Sequence, residues 1–290
     1  MQVFILGATG TIGSAVTRDL LARGHRVLGL CRSRDSANRL HAMGARSVVG
    51  DLARPAEWTD QAVSSDCAVQ LAATFDGNMG SVDCGVLDAL EHSARRARKT
   101  LHILYTGGCW LYGSTGDQVA SESTPFNPIE SFTWMVENAS RLEQSRFFRT
   151  TILHPAMVYH RHGGAFSRYL GQAKRGETVE IWGSAKTRWP LIHRDDLAVA
   201  YRVLAEHPEM TGHYNVSAET GRETGVVATQ IANHFGNGKT QVADPQTVLA
   251  LHGAWAEGPM LDQQMSSRKL TATGLWKPRF SDFATTDVFT

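Results

Sequence analysis

The chain has 290 residues, and its 29 Lys+Arg against 28 Asp+Glu leave a net charge of +1. That balance argues against nucleic acid or an anionic membrane as the main partner. A hydrophobic share of 42% with 20% charged residues excludes a disordered chain. The length fits one large domain or two unequal halves sharing a core.

Cys31, Cys67, Cys84 and Cys109 form no Cys-x-x-Cys pair, which argues against a disulfide framework or zinc ribbon and predicts a reducing, cytoplasmic setting. Residues 1–6 enter an apolar strand at once, without the basic and long apolar regions of a signal peptide. No apolar run approaches the ~18 residues of a membrane span.

The first half alternates strand and helix. Residues 3–6 read as a strand. Residues 12–22 have apolar side chains at helical spacing and stop at Gly24. Strands follow at 26–30, 47–49, 67–72, 101–106 and from 151. Helices lie between them at 35–43, 83–98 and 131–148. This alternation predicts an α/β, doubly wound Rossmann sheet with helices on both faces. After Pro155 the pattern loosens, with helices near 166–175, 194–206 and 226–235 and strands at 179–182 and 213–216. The expected division is a dinucleotide-binding domain over 1–159, rejoined by 193–217, and a smaller substrate-binding part over 160–192 and 218–290.

The strongest motif is Gly7-Ala8-Thr9-Gly10-Thr11-Ile12-Gly13, between the first strand and first helix. Gly7 permits the tight turn, Gly10 lets the backbone approach a pyrophosphate, and Gly13 lets helix and sheet pack closely. The amides at the helix start face the phosphates. Cofactor choice is read at the end of the second strand, where an NAD site carries an acidic residue for the ribose diol. Here stands Cys31-Arg32-Ser33-Arg34. Two planar guanidiniums and a hydroxyl suit a 2′-phosphate, which predicts NADP(H).

These residues, with others downstream, resemble the extended short-chain dehydrogenase/reductase family, which contains nucleotide-sugar epimerases and dehydratases. Gly50-Asp51-Leu52 is similar to its adenine-contacting segment, and Leu71-Ala72-Ala73 to the turn after its fourth strand. The stretch from Thr106 through Gly107, Gly108, Cys109, Trp110 and Leu111 to Tyr112-Gly113 sits where the family carries a Ser-rich segment ending in Tyr-Gly. His154-Pro155-Ala156-Met157 resembles the segment beside the nicotinamide, and His193-x-x-Asp196-Leu197-Ala198 the family's helix start. The resemblance implies that Thr106, His154, Pro155 and Met157 line the cofactor.

The catalytic motif departs from the family's Tyr-x-x-x-Lys. Four residues after the six tyrosines stand Cys109, Gly116, Gly163, Ala173, Ala205 and Ala218, none of them lysine. Trp134 and Asn138 have the spacing where the pair belongs, without its chemistry. Three polar residues remain as catalytic candidates: Thr106, Tyr112 and Asn138. A substrate cleft is expected around Gly108, Trp110, Trp134, Tyr159, Phe166 and Trp189, with Trp182 beside it, and this aromatic set favours a flat apolar substrate. His160-Arg161-His162 lacks a third ligand, so no metal is expected.

Polyketide-tailoring short-chain reductases of the simocyclinone type are similar in lacking the tyrosine. The resulting expectation is an NADPH-dependent ketoreductase of an aromatic polyketide-like metabolite, with the proton passed from the substrate's own phenol. An epimerase/dehydratase and a non-enzymatic NADP(H) sensor stay open as alternatives. The chain is expected to act as a monomer or homodimer on a small molecule, with neither nucleic acid nor membrane.

Overall fold

The computed structural model describes residues 1–73 and 77–290. Its first half runs β1 (Gln2–Leu6), α1 (Thr11–Ala22), β2 (Arg26–Cys31), α2 (Arg34–Met43), β3 (Arg46–Val49), α3 (Thr59–Ser64), β4 (Cys67–Gln70), α4 (Met79–Ala97), β5 (Leu101–Thr106), α5 (Thr133–Gln144) and β6 (Phe148–Pro155). The second half contributes β7 (Met157–His160), β8 (Gly163–Gly164), α6 (Ser167–Lys174), β9 (Val179–Trp182), β10 (Arg188–His193), α7 (Arg194–Glu206), β11 (Gly212–Val216), β12 (Glu219–Glu223), α8 (Thr224–Phe235), β13 (Thr240–Ala243) and α9 (Pro245–His252).

The main sheet has seven strands in the order β11-β6-β5-β4-β1-β2-β3, parallel from β6 to β3. β1 therefore lies between β2 and β4, where the strand order reverses. Such a switch point opens a crevice at the carboxyl ends of the strands. Covered on both faces, β1 is a continuous apolar run, with Val3, Phe4, Ile5 and Leu6 all buried. Phe4 stacks on Trp58 at 5.6 Å, and Val86, Leu87, Leu90 and Ala94 of α4 join the same core.

Two compact units emerge. The first comprises Met1–Gly107, Trp134–Leu153 and Leu197–Tyr214; the second Gly108–Thr133, His154–Asp196 and Asn215–Thr290. The second takes in 108–133, 154–159, 193–196 and 215–217, which the sequence reading placed with the dinucleotide-binding domain. Backbone bonds explain the first of these: Thr115 N–H donates to Asp262 O, and Ala120 N–H to Gln264 O. Within the second unit β12-β10-β7-β8 form one small sheet and β13-β9 another.

Several elements differ from the sequence reading. α4 begins at Met79, four residues before the expected 83. The helix expected over 131–148 ends at Gln144, because Phe148 pairs with Leu101 as the first residue of β6. The strand β10 escapes a pattern search because Pro190 interrupts it. Its register against β12 shifts between Trp189 and Leu191, where a residue without an N–H does least harm. Among the described residues no helix is long and apolar enough to cross a membrane.

Candidate functional site

The three loop glycines are required for different reasons. Gly7 has φ +80°, and a Cβ there would sit 2.8 Å from Ala72 N and Leu71 C. A Cβ on Gly13 would run into Gly7 O and Ala8 Cα. The protein's own packing thus excludes side chains at both positions. Gly10 is otherwise: its φ of −73° suits any residue, and a Cβ would meet only Gly7 O at 3.3 Å. Among the described residues, a side chain there asks only that the Gly7 carbonyl yield by a few tenths of an ångström.

Gly10 also begins α1 without a side-chain cap, and no acidic residue stands in the first turn. An amide end of this kind suits a negative charge. Around it Thr9 and Ile12 are half-buried and Thr11 is exposed.

At the end of β2, Arg32 and Arg34 are exposed and unpaired among the described residues. Ser33 has a local duty the sequence reading missed. Its hydroxyl caps α2, accepting from Ser36 N–H at 3.2 Å, and so is partly committed. Asp35 forms no ion pair with either arginine; it stands in the first turn of α2, where a negative charge suits the dipole. The neighbouring Gly50–Leu52 segment is fixed by Gly50 N–H to Cys31 O, by Trp58 Nε1–H to Asp51 O at 2.9 Å, and by Ala53 N–H to the Asp51 carboxylate. Leu52 packs on the core.

The positions of the missing pair are filled by packing and by a polar network. Trp134 lies against α4 at Gly80, where a Cβ would stand 2.8 Å from its Cγ. One turn on, Asn138 is buried and donates to Asp83 at 2.8 Å. The same carboxylate oxygen accepts from Tyr105 OH at 2.7 Å, and the other from Gln70 Nε2 at 2.5 Å. Burial pushes the Asp83 carboxyl above its ordinary range, and the three donors oppose that shift. Asn138 thus holds a carboxylate rather than a catalytic water. Thr106 is likewise turned inward. Its hydroxyl donates to Gln70 O at 2.5 Å, and Tyr201 OH lies 2.7 Å from it. Its single proton is spent on the main chain, so the expected bond to a carbonyl substrate has no donor in this arrangement.

In the second unit Tyr112 is buried and donates to Asn215 Oδ1 at 2.7 Å. Burial drives its phenol well above the ordinary range, so it is a poor acid as placed. The buried His154 ring packs 5.7 Å from Tyr112 and 5.2 Å from Phe126. Pro155 and Met157 are buried as well.

The aromatic cleft set divides. Tyr159 stacks on Phe166 at 4.7 Å and Trp189 on Tyr169 at 5.8 Å, and all four are buried. Trp189 further donates to Pro259 O, and Trp182 packs on Val248 and Ala256. These are core residues, not cleft walls, which corrects the expectation for Tyr159, Phe166 and Trp189. Trp110 and Trp134 stay half-exposed. The Trp110 ring covers Gly258, and its buried Nε1–H has no hydrogen-bond partner among the described residues. Gly108 leaves open space where a serine side chain would stand. His162 N–H donates to His160 Nδ1, a loop contact, and no metal-binding cluster occurs among the described residues.

Comparison with known proteins places this geometry. The NAD dependent epimerase/dehydratase family matches residues 3–217. The chain belongs to that family. It is 28% identical to the uncharacterized protein C2A9.02 of Schizosaccharomyces pombe, over 98% of this chain and 97% of the relative. Among solved structures it is similar to human epimerase family protein SDR39U1 with NADPH, at TM-score 0.80 and 22% identity over 99% and 98% of the two chains. It is equally similar to Thermus thermophilus UDP-glucose 4-epimerase with NAD, at TM-score 0.80 and 22% identity over 100% and 97%.

Within the family pattern, Asp83, Gln70 and Tyr105 are the residues that sequence reasoning missed. The one signal was indirect: an asparagine standing in the lysine position asks for a new partner.

Proposed function

We propose that the chain is an NADP(H)-dependent carbonyl reductase that does not supply the proton from a Tyr-Lys pair. The observation that carries this reading is the contrast among the loop glycines. Gly7 and Gly13 serve internal packing, whereas at Gly10 the described residues offer a Cβ one tight contact, with Gly7 O, and leave the rest of the space to a ligand. The uncapped start of α1 would hold the pyrophosphate by its amides, and Arg32 and Arg34 would grip the 2′-phosphate. The bound nicotinamide supplies a hydride. Asp51, Leu52 and the Leu71–Ala73 turn would flank the adenosine and ribose. The relative with NADPH supports the cofactor, although the relative with NAD leaves the choice to Arg32 and Arg34.

The proton is assigned to the substrate. Thr106, Tyr112 and Asn138 are each engaged inside the fold, so none is poised as a general acid. A ketone with a neighbouring phenol carries its own donor, and the half-exposed Trp110 of the second unit offers apolar surface for such a ring. The polyketide-like substrate rests on that residue, since Tyr159, Phe166 and Trp189 are core. Mixing the protein with NADPH and a panel of hydroxyaryl ketones and quinones tests the reading. Loss of nicotinamide absorbance with a hydroxyaryl ketone is the expected result.

A second reading is favoured by the same engaged donors, namely an NADP(H)-binding regulator. Tight NADPH binding without turnover of any carbonyl would select it. Epimerase or dehydratase chemistry is disfavoured, because the acid/base pair on which both depend is absent.

A further inference from the structure

Gln70 ends β4 and is buried. Its side chain bridges two parts of the first unit. Oε1 accepts from Ala72 N–H at 2.9 Å, and Nε2 donates to Asp83 at 2.5 Å. Asp83 in turn gathers Tyr105 and Asn138. The far end of this chain touches the phosphate loop, since Ala72 N and Leu71 C lie within 2.8 Å of where a Gly7 Cβ would be. Any shift of Ala72 toward the loop therefore presses on Gly7. The orientation of Gln70 is forced from both sides. Ala72 N–H requires the carboxamide oxygen, and the Asp83 oxygen accepts only from the amide nitrogen. This holds whether Asp83 is ionised or carries a proton shared with Tyr105.

We propose that Asp83 and Gln70 are positioning residues for the dinucleotide site, locking the Ala72 amide against the phosphate loop through a network that includes Asn138, which stands where the family keeps its lysine. The inference rests on the reading that the loop binds NADPH. It assigns a use to a buried carboxylate that hydride transfer does not otherwise need. An unpaired carboxylate at this depth would be costly, so its retention with three donors marks a fixed geometry rather than a tolerated accident.

The test uses the full chain. Gln70→Met and Asp83→Ala should each weaken NADPH binding at least tenfold. In the cofactor-free protein each should speed hydrogen exchange at the Ala72 amide at least tenfold, with the Val69 amide unchanged. The paired swap Gln70→Glu with Asp83→Asn keeps the volumes and reverses the polarity. The new asparagine donates to the new glutamate and still accepts from Tyr105 and Asn138, while the glutamate still accepts from Ala72. The swap should restore NADPH affinity and Ala72 protection to within about threefold of the unaltered protein, which loss of packing alone does not allow. If Asp83→Ala does not fold, the swap set against Gln70→Met decides. Variants that bind like the unaltered protein, or a swap as weak as Gln70→Met, would overturn the proposal while leaving the dinucleotide reading intact. No NADPH binding by the unaltered protein would overturn both.

Discussion

Gly10→Val separates a glycine kept for a ligand from one kept for the fold. At φ −73° and ψ −179° the new residue has an ordinary extended backbone, and among the described residues its Cβ meets Gly7 O alone, at 3.3 Å, a tight contact that a shift of a few tenths of an ångström relieves. Replacing glycine stiffens the unfolded chain by about 0.4–1 kcal/mol. Loss of a favourable capping residue offsets that by a similar amount, on the order of 0.5–1 kcal/mol. Stability should hold within about 1 kcal/mol, a melting shift of no more than ~2–4 °C. Binding should not survive. Displacing the pyrophosphate from two charge-assisted amide contacts removes about 1.5 kcal/mol each at the low end. The total of about 3 kcal/mol corresponds to roughly 100-fold in Kd. Nicotinamide fluorescence titration beside a thermal melt reads both quantities. Gly13→Val is the control, because its side chain meets the loop backbone itself; it should fail to fold. A folded Gly10→Val protein with NADPH affinity within threefold of the parent would refute the reasoning.

Three further expectations follow from the same geometry. Replacing Arg32 and Arg34 together with alanine should abolish the preference for NADPH over NADH, a change of tenfold or more, checked by titrating both cofactors. Thr106→Val and Tyr112→Phe should each slow turnover of a hydroxyaryl ketone by about tenfold or less, whereas methylating the substrate's phenol should cost over 10²-fold. A loss above about 10³-fold in Tyr112→Phe, with the methyl ether reacting normally, would make Tyr112 the acid. His102 is held neutral by burial, with Arg149 adding to the effect, and its pKa is lowered to about 4. The unfolded chain takes up that proton first, so this contribution is full above the unfolded pKa and is lost as pH falls from about 6.5 toward 4. It amounts to about 3 kcal/mol across that window. Urea midpoints at pH 7.5, 6 and 5 should fall less steeply in His102→Asn.

The parts legible in the sequence are those where chemistry is local. The glycine loop, the arginines after β2 and the parallel core strands each declare themselves within a dozen residues. Burial of Trp189 and Tyr159 was not legible, since an aromatic beside a motif looks the same whether it faces a cleft or Tyr169. The engagement of Thr106 and Tyr112 was hidden for a related reason: their partners Tyr201 and Asn215 lie about a hundred residues away. Asp83 was the hardest case. In α4 it reads as one polar residue on an amphipathic helix, and only the fold brings Gln70, Tyr105 and Asn138 around it.

The contact between Trp134 and Gly80 bears on whether this chain's departure from its relatives can be reversed. Trp134→Tyr would leave a void beside a helix that has no side chain at Gly80 to fill it. Asn138→Lys would bring an ammonium beside Asp83, whose buried carboxylate would capture it as an ion pair and keep it from any cofactor. Building a Tyr-x-x-x-Lys pair into α5 therefore requires α4 to change with it, at Gly80 and Asp83 together. Neither substitution alone rebuilds the pair, so the present arrangement of α5 is held in place by its neighbours on α4.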